Sequence, residues 1–250
     1  MKINFPLLAL AVGAFAIGTT EFSPMGFLPE IANDLSVSIP QAGLLISAYA
    51  VGVMIGAPLM TLWLARFPKK TALILLMAIF TIGNVLATVA PDYMSLMGAR
   101  LITSLNHGAF FGLGSVVAAS VVPKDKQASA VAMMFMGLTI ANIGGVPLAT
   151  WLSQNTSWRM AFAAISIFGI ITMLALWKAL PQDHDVVKPN VAKELRVLTR
   201  APVVLALLTT VMSAGAMFAL YTYIAPSLHV FMQASPQTIT LMLVLIGIGF

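Results

Sequence analysis

Apolar stretches long enough to cross a bilayer follow one another along most of the chain, with short polar segments between them. A membrane-spanning helix needs roughly 20 mostly apolar residues, and we predict spans at about 6–28, 42–65, 71–90, 94–120, 129–152, 159–180 and 202–225. Because lipid cannot satisfy free backbone groups, these spans are predicted to be helices. An eighth apolar stretch begins near Pro236 and continues to Phe250, so we expect the chain to be the front part of a longer polypeptide.

The composition agrees with this pattern and excludes several classes of protein. Of the 250 residues, 60% are hydrophobic and 8% are charged, whereas a soluble domain has about 45–50% apolar and about 25% charged residues. A soluble fold of this composition would lack the polar side chains to cover its surface. We therefore exclude an ordinary cytosolic enzyme, a nucleic-acid-binding protein and a disordered chain, and we predict an all-α polytopic membrane protein.

Lysine and arginine are concentrated in alternate segments between the predicted spans. The segments near 29–40 and 91–95 hold none and carry acidic residues instead. Cytoplasmic segments of membrane proteins are enriched in basic residues, so the N-terminus is predicted to be cytoplasmic, and the net charge of +5 needs no nucleic-acid partner. Anionic lipid headgroups are expected to attract these segments weakly. The basic residues on the predicted cytoplasmic side are Lys2, Arg66, Lys69, Lys70, Lys124, Lys126, Lys178, Lys188, Lys193, Arg196 and Arg200.

The longest polar segment, 181–200, separates six predicted spans from those that follow. We predict an N-terminal bundle of six helices at 1–180, a cytoplasmic linker at 181–200, and the start of a second bundle at 201–250, made of a seventh helix and part of an eighth. Pro-Gln pairs at 40–41 and 236–237 stand at equivalent points after the first and seventh spans. Two related six-helix halves are a recurring transporter plan.

Three residues inside the spans are too polar for lipid and therefore need a reason to be there. Glu21 lies seven residues before the predicted end of the first span, and Arg100 lies six residues inside the fourth. At a rise of about 1.5 Å per residue their depths are similar. His107 lies one heptad further, near the predicted midplane.

Four polar residues of the fourth span, Arg100, Thr103, Ser104 and His107, have the spacing of one helical face. A polar face of this kind predicts a water-filled cavity on a substrate path. The alternative is structural: Arg100 would bond to a backbone carbonyl or a lipid headgroup, and the two hydroxyls would bond within their own helix.

Glu21 is our candidate proton carrier. Burial favours the neutral form of a carboxyl group and a nearby cation favours the charged form, so a cavity that opens and closes would move Glu21 between them. A permanent ion pair with Arg100 that only fixes helix packing is the alternative. His107 is a second candidate, because imidazole titrates near neutral pH; a structural role is an equal alternative.

The fifth span combines small residues with a proline. Gly137, Ala141 and Gly145 recur every four residues, which predicts close helix packing, and Pro147 predicts a kink. Asn142 lies beside them. Simple packing is one interpretation, and a sliding contact between two conformations is the other.

The sequence offers little support for an enzyme or a metal site. It contains no cysteine, which excludes disulfides and thiolate ligands. No second histidine or carboxylate lies close to His107 in the sequence, and we find no nucleophile–base arrangement. We expect no metal and no cofactor.

Several of these residues occur in segments that together resemble the major facilitator superfamily, in its drug:proton antiporter branch of the sugar and purine efflux type. The resemblance covers the whole chain. The segments are Gly18-Thr19-Thr20-Glu21-Phe22, Gly26-Phe27-Leu28-Pro29, His107-Gly108-Ala109-Phe110-Phe111, Ala141-Asn142-Ile143-Gly144-Gly145-Val146-Pro147 and Ser157-Trp158-Arg159.

The resemblance implies two six-helix bundles around a cavity lined partly by helices one, four and seven. Glu21 would then face the Arg100–His107 surface, and Tyr221 and Tyr223 would lie near the cavity mouth. Arg66, Lys69 and Lys70 match the inner-loop gating motif of the family. Ala65 and Pro68 replace its usual Asp and Gly, and Ala141-Asn142 replaces a usual Gly-Pro pair.

We therefore expect a monomeric, proton-coupled exporter of small organic solutes in the bacterial inner membrane, working by alternating access and driven by the proton gradient. Glu21 and His107 would couple the proton. Arg100, Thr103, Ser104, Asn142 and Tyr221 would bind the solute. One alternative is an exporter specific for a sugar or a nucleoside. Another, from a different class, is a non-transporting membrane assembly or sensor protein.

Overall fold

The computed structural model describes residues 4–181 and 199–249, and in these ranges the chain is helical without strands. The all-α prediction is therefore confirmed. Most of the predicted linker, 182–198, lies outside the described residues. Seven helical segments are long and apolar enough to cross a membrane: Phe5–Gly26, Ile39–Leu64, Lys69–Thr88, Tyr93–Ser120, Lys124–Asn155, Trp158–Ala179 and Ala201–Thr222.

The helices are numbered along the chain from the described residues. They are α1 (Phe5–Gly26), α2 (Leu28–Asp34), α3 (Ile39–Leu64), α4 (Lys69–Thr88), α5 (Tyr93–Ser104), α6 (His107–Ser120), α7 (Gln127–Ile140), α8 (Val146–Asn155), α9 (Trp158–Ala179), α10 (Ala201–Thr222), α11 (Ile224–Met232) and α12 (Pro236–Gly249).

Local capping chemistry explains where several helices begin. Ser38 accepts a hydrogen bond from the backbone of Gln41, and the Gln41 side chain bonds back to Ser38. Asp92 and Ser95 do the same at the start of α5. Such reciprocal bonds satisfy amide groups that have no partner within the helix. Proline stands in the first turn of α1, α3, α8 and α10, where its missing N–H costs nothing.

The fourth span is not one continuous helix. Its regular bonding is interrupted at Leu105 and Asn106, between α5 and α6. The Leu105 N–H bonds three residues back, to the Ile102 carbonyl, at 3.3 Å, which tightens the turn locally. From the sequence pattern we predicted one regular helix for this span. The interruption changes which of its residues share a face.

The fifth span contains a π-helical turn at Ala141–Gly145, between α7 and α8. The Val146 N–H bonds to the Ala141 carbonyl, five residues back, and Pro147 follows at once. Proline has no N–H and therefore cannot continue the regular bonding pattern. The sequence predicted a kink at Pro147, and the structure has a widened turn directly before that proline.

Close packing between α1 and the fifth span depends on glycine. A Cβ atom added at Gly137 would collide with the backbone carbonyl of Ala11, and one added at Gly145 would collide with Thr19. On the other side of the contact, a Cβ at Gly18 would meet Leu138 and lie 3.0 Å from the Ala141 Cβ. These small residues let the two helices approach closely.

We expect Gly137→Ala to destabilise the protein, because α1 and α7 must separate to admit the methyl group. Overpacking of this kind costs about 1–3 kcal/mol. Gly112→Ala is the matched control, since a Cβ there meets nothing within 4 Å. Thermal unfolding in detergent should show a lower midpoint for Gly137→Ala alone; equal midpoints for the two variants would contradict the assignment.

The described part of the second bundle contacts the first near one end of the spans, the end that carries Asp34 and Arg159 and that we call the Arg159 end. Phe22 stacks on Phe218 with ring centroids 5.4 Å apart, and the Thr240 hydroxyl donates to the Gln154 side-chain oxygen at 3.1 Å. Further along α12, a Cβ at Gly247 would clash with the Asn142 backbone. The π-helical turn therefore lies in the contact between the two bundles.

Candidate functional site

Glu21, Arg100 and His107 meet inside the first bundle. The Glu21 Oε2 atom lies 3.8 Å from His107 Nε2, and each side chain is 15% exposed. Arg100 is 2% exposed. A carboxyl, an imidazole and a guanidinium group are thus held together at membrane depth, where charged groups are expensive to keep without partners.

Tyr49 of α3 contacts both Arg100 and His107. Its hydroxyl lies 3.1 Å from His107 Nδ1, and its ring centroid lies 4.2 Å from Arg100 Cζ. When the phenol donates to Nδ1, a neutral imidazole keeps its proton on Nε2, the nitrogen that faces Glu21. Sequence reasoning missed Tyr49, although a hydroxyl in an otherwise apolar span is a signal that a partner exists.

Arg100 binds a backbone carbonyl that a proline has left without its helical donor. The Arg100 Nη1 atom donates to the Thr20 carbonyl at 2.8 Å. In a regular helix that carbonyl accepts from residue 24, which here is Pro24, inside α1, and proline has no N–H. The other two guanidinium nitrogens, Nε and Nη2, have no acceptor among the described groups.

Asn84 of α4 fixes the same segment of α1 from the other side. The Thr20 hydroxyl donates to Asn84 Oδ1 at 2.6 Å, and Asn84 Nδ2 donates to the Phe80 carbonyl at 2.9 Å. Asn84 is completely buried. It was also missed from the sequence, and a buried amide on an apolar helix was the available signal.

Thr103 and Ser104 are not part of this site, contrary to the prediction of one polar face toward a cavity. Thr103 bonds to the Ala99 carbonyl at 2.8 Å and Ser104 to the Leu101 carbonyl at 2.7 Å. Both are buried at helix contacts, against Gly83 and Gly52 respectively. The interruption after Ser104 separates them from His107, and their bonding within the helix matches the structural alternative.

Asn142 and Tyr221 lie at the contact between the two bundles. Asn142 is 4% exposed, and its Nδ2 donates to the Leu138 carbonyl at 3.1 Å. Tyr221 packs against Phe22, with ring centroids 5.9 Å apart. Because Phe22 follows Glu21 in α1, Tyr221 lies next to the site in the fold.

The basic residues after α3 lie at the opposite end of the spans. Lys70 donates to the Leu180 carbonyl, just past α9, at 2.7 Å. Arg66 folds back onto its own helix, with its Nε donating to the Trp63 carbonyl at 2.8 Å. Lys69 and Lys70 also border a small cavity beside Leu180. Of the predicted gating residues, Lys70 thus contacts the end of the sixth span, and Arg66 bonds within its own helix.

Asp34 and Arg159 join three segments at the Arg159 end. The Asp34 Oδ2 atom accepts from Arg159 Nη1 at 2.5 Å and from the Trp158 indole at 3.0 Å. Arg159 Nη2 donates to the Ala90 carbonyl at 2.9 Å. The hydrogen bond from Arg159 holds the pKa of Asp34 below its ordinary value.

This pairing predicts a small pH-dependent term in stability. A lowered pKa means that the stabilisation is present above the ordinary value of 3.8 and is lost as pH falls through the lowered value. Because the Asp34 side chain is 47% exposed, the term is at most about 1 kcal/mol. Thermal unfolding should show Asp34→Asn below native at pH 7, with the gap closing in acid; a gap that persists would contradict the pairing.

Comparisons with known proteins agree with this architecture. The Major Facilitator Superfamily model matches residues 10–250. The chain is 67% identical over 250 residues to the inner membrane transport protein YdhP of Escherichia coli (strain K12), covering 100% of this chain and 64% of that protein. It is 32% identical over 248 residues to a chloramphenicol resistance protein of Streptomyces lividans, covering 98% of this chain and 63% of that protein.

A solved structure shares the fold. It is the crystal structure of a bacterial homologue of the human lysosomal transporter Spinster, in an inward-facing and unoccupied conformation. It matches with a TM-score of 0.77 at 18% identity, over 97% of this chain and 58% of that chain. This chain spans 64% and 63% of the lengths of the two curated relatives. The family match over nearly the whole sequence, on a helical bundle of the same fold, shows that the chain belongs to the Major Facilitator Superfamily.

Proposed function

We propose that this chain forms the first bundle, and the start of the second, of a proton-coupled secondary transporter that exports small organic solutes by alternating access. The observation that carries the proposal is the contact of Glu21 with His107 beside a buried Arg100, two of whose guanidinium nitrogens have no acceptor among the described groups. A site with one acid and two competing basic partners is suited to switching between protonation states.

The unused N–H groups of Arg100 supply the second position that a switch requires. In the described conformation the Glu21 carboxyl contacts His107, and Arg100 donates only to the Thr20 carbonyl. A deprotonated Glu21 is stabilised most by charge-assisted hydrogen bonds from Arg100, whereas a protonated Glu21 lacks the negative charge that makes these bonds strong. Proton binding thereby favours one arrangement of the site, and differential affinity for two states is what couples a ligand to a conformational change.

The charge distribution and the relatives support a membrane location and an orientation. By the positive-inside rule, the basic segments favour a cytoplasmic position for the Lys70 end, with the N-terminus on the same side. The relative YdhP is described as an inner membrane transport protein, which supports the same membrane here. Under this orientation the Arg159 end is where exported solute leaves.

An exporter specific for a sugar or a nucleoside is the second candidate. The observation that favours it is the hydrogen-bonding capacity of the site, since Arg100 and Asn142 each keep at least one polar atom without a partner among the described groups. Hydroxyl-bearing solutes use such groups, and a site built for them rejects solutes that leave them unpaired.

The test is solute-driven proton movement in proteoliposomes that contain the native protein and a pH-sensitive dye. The probes are chloramphenicol, a pentose, a nucleoside and the lipophilic cation tetraphenylphosphonium. We expect at least one probe gradient to move protons in the opposite direction. Proton movement with the pentose or nucleoside alone would favour the specific exporter. Absence of proton movement with every probe would favour the non-transporting alternative.

A further inference from the structure

A cavity lies at the Arg159 end, between the two bundles and outside the Glu21 site. Its volume is about 300 Å³, within the size range of small-molecule sites. Glu30 and Asn33 of α2 and Gln154 of α8 line it from the first bundle, and His229 of α11 lines it from the second. Ala225 and Ile239 form an apolar wall.

Buried oxygen atoms at this cavity have unused hydrogen-bonding capacity. The Glu30 Oε2 atom has no hydrogen-bond partner in the described part of the chain. The Thr150 hydroxyl, which packs against the cavity residue Gly26, is in the same situation. Thr150 is completely buried. Buried polar groups are rarely left unpaired, so each needs an explanation.

The charge around the cavity is unbalanced. Glu30 is the carboxylate that lines it, and His229 is the titratable group that faces Glu30 from the second bundle. Asp34, one turn further along α2, is paired with Arg159. Among the described residues that line the cavity, none is a lysine or an arginine. A partly buried carboxylate without a permanent cation is costly to keep charged.

We propose that this cavity binds a small aliphatic ammonium ion. The ammonium group donates to the Glu30 carboxylate and to neighbouring hydroxyl or amide oxygens, and the alkyl part packs against Ala225 and Ile239. The ion supplies the cation that Glu30 lacks. The site lies on the far side of the Phe22–Phe218 contact from Glu21, and binding there does not depend on proton coupling.

The proposal includes a pH dependence with a definite sign. Burial raises the pKa of Glu30, and its own backbone N–H and His229 oppose the increase in part. The ammonium ion requires the charged carboxylate, so each ion bound to a protonated site releases one proton. Acid weakens binding because it protonates Glu30. Affinity is therefore highest above the raised pKa of Glu30.

Calorimetric titration of the native purified protein with n-butylammonium tests the proposal, with n-butanol as the neutral isostere. We expect saturable binding of the ammonium ion alone, weaker at lower pH, with proton release that appears as a dependence of the heat on the buffer. Glu30→Gln should weaken binding by about tenfold or more, since it removes a charged hydrogen-bond acceptor. Asp92→Asn, a carboxylate of the same end but outside the cavity, should bind as the native protein does.

Two outcomes would overturn the proposal: native protein that does not bind n-butylammonium, or Glu30→Gln that binds it as tightly as native. Glu21→Gln separates this proposal from the proposed transport function. The Glu21→Gln variant should keep ammonium binding at the cavity lined by Glu30, although it alters the proton-coupling site. Loss of binding in Glu21→Gln, with binding kept in Glu30→Gln, would assign the ion to the Glu21 site instead.

Discussion

Replacement of Glu21 by glutamine is expected to abolish proton-coupled transport while leaving the protein folded. Glutamine keeps the size of the side chain and its ability to bond near His107, but it cannot gain or lose a proton. Solute movement driven by a pH gradient should therefore fall to the background of empty liposomes. Exchange of solute for solute across the membrane should persist, because it needs no change in protonation.

The measurement compares gradient-driven uptake with solute exchange in the same proteoliposomes, using whichever probe the native protein accepts. Asp92→Asn is the matched control, since it removes an exposed carboxyl at the Arg159 end, away from His107 and outside the Glu30 cavity. Coupled transport by Glu21→Gln at the native rate, with normal expression, would contradict the proton-carrier role. Loss of both coupled transport and exchange would instead indicate that Glu21 is needed for solute binding.

Pro24→Ala is the second substitution for which we expect a large effect. We expect it to reduce coupled transport, although alanine is a better helix former than proline. Alanine is the better helix former by about 3 kcal/mol in a helix interior, so α1 itself should become more regular. The new N–H at position 24 would, however, bond to the Thr20 carbonyl and compete with Arg100 for it. A buried guanidinium that loses its acceptor is strongly unfavourable.

Arg100 would then turn to Glu21, and the resulting ion pair would hold the carboxylate in its charged form. We expect coupled transport to fall by about tenfold or more, the change produced by about 1.4 kcal/mol in a barrier. Pro58→Ala in α3 is the control, because that proline is exposed and the Met54 residue four positions before it is 68% exposed. Equal activity in the two variants would show that Arg100 does not depend on the carbonyl that Pro24 leaves free.

The sequence was sufficient to predict the spans and to single out Glu21, Arg100 and His107, three of the residues that meet at the site. Length and apolar content were sufficient to locate the helices, because each must be long and apolar enough to cross the same bilayer. Depth arithmetic along helices of fixed rise placed Glu21 and Arg100 at similar levels. The structure brings both next to His107, without an ion pair between Glu21 and Arg100 in the described conformation.

Details that depend on irregular helix geometry were not predictable from spacing. The prediction of one shared face assumed a regular helix that turns by about 100° per residue; its four residues were Arg100, Thr103, Ser104 and His107. The interruption at Leu105 and Asn106 changes the rotation between Ser104 and His107. The π-helical turn at Ala141–Gly145 arises from packing against α1 and α12 as well as from Pro147. A periodic pattern carries no information about such insertions.

Partners supplied by other helices were also invisible in the sequence. Tyr49 and Asn84 reach the site from α3 and α4, at positions for which the sequence predicted no role. One signal was present and went unused. Pro24 lies four residues after Thr20, so the Thr20 carbonyl must find a donor outside its helix. A buried arginine at matching depth was the available donor.

The central claim is that Glu21 changes protonation within the working range of the transporter. Infrared difference spectroscopy of the native protein against Glu21→Gln, recorded as pH is varied, measures this directly. We predict a carboxylic acid band that belongs to Glu21, grows on acidification and shifts when a transported probe binds. A Glu21 carboxyl that stays in one protonation state throughout, with and without solute, would contradict the account.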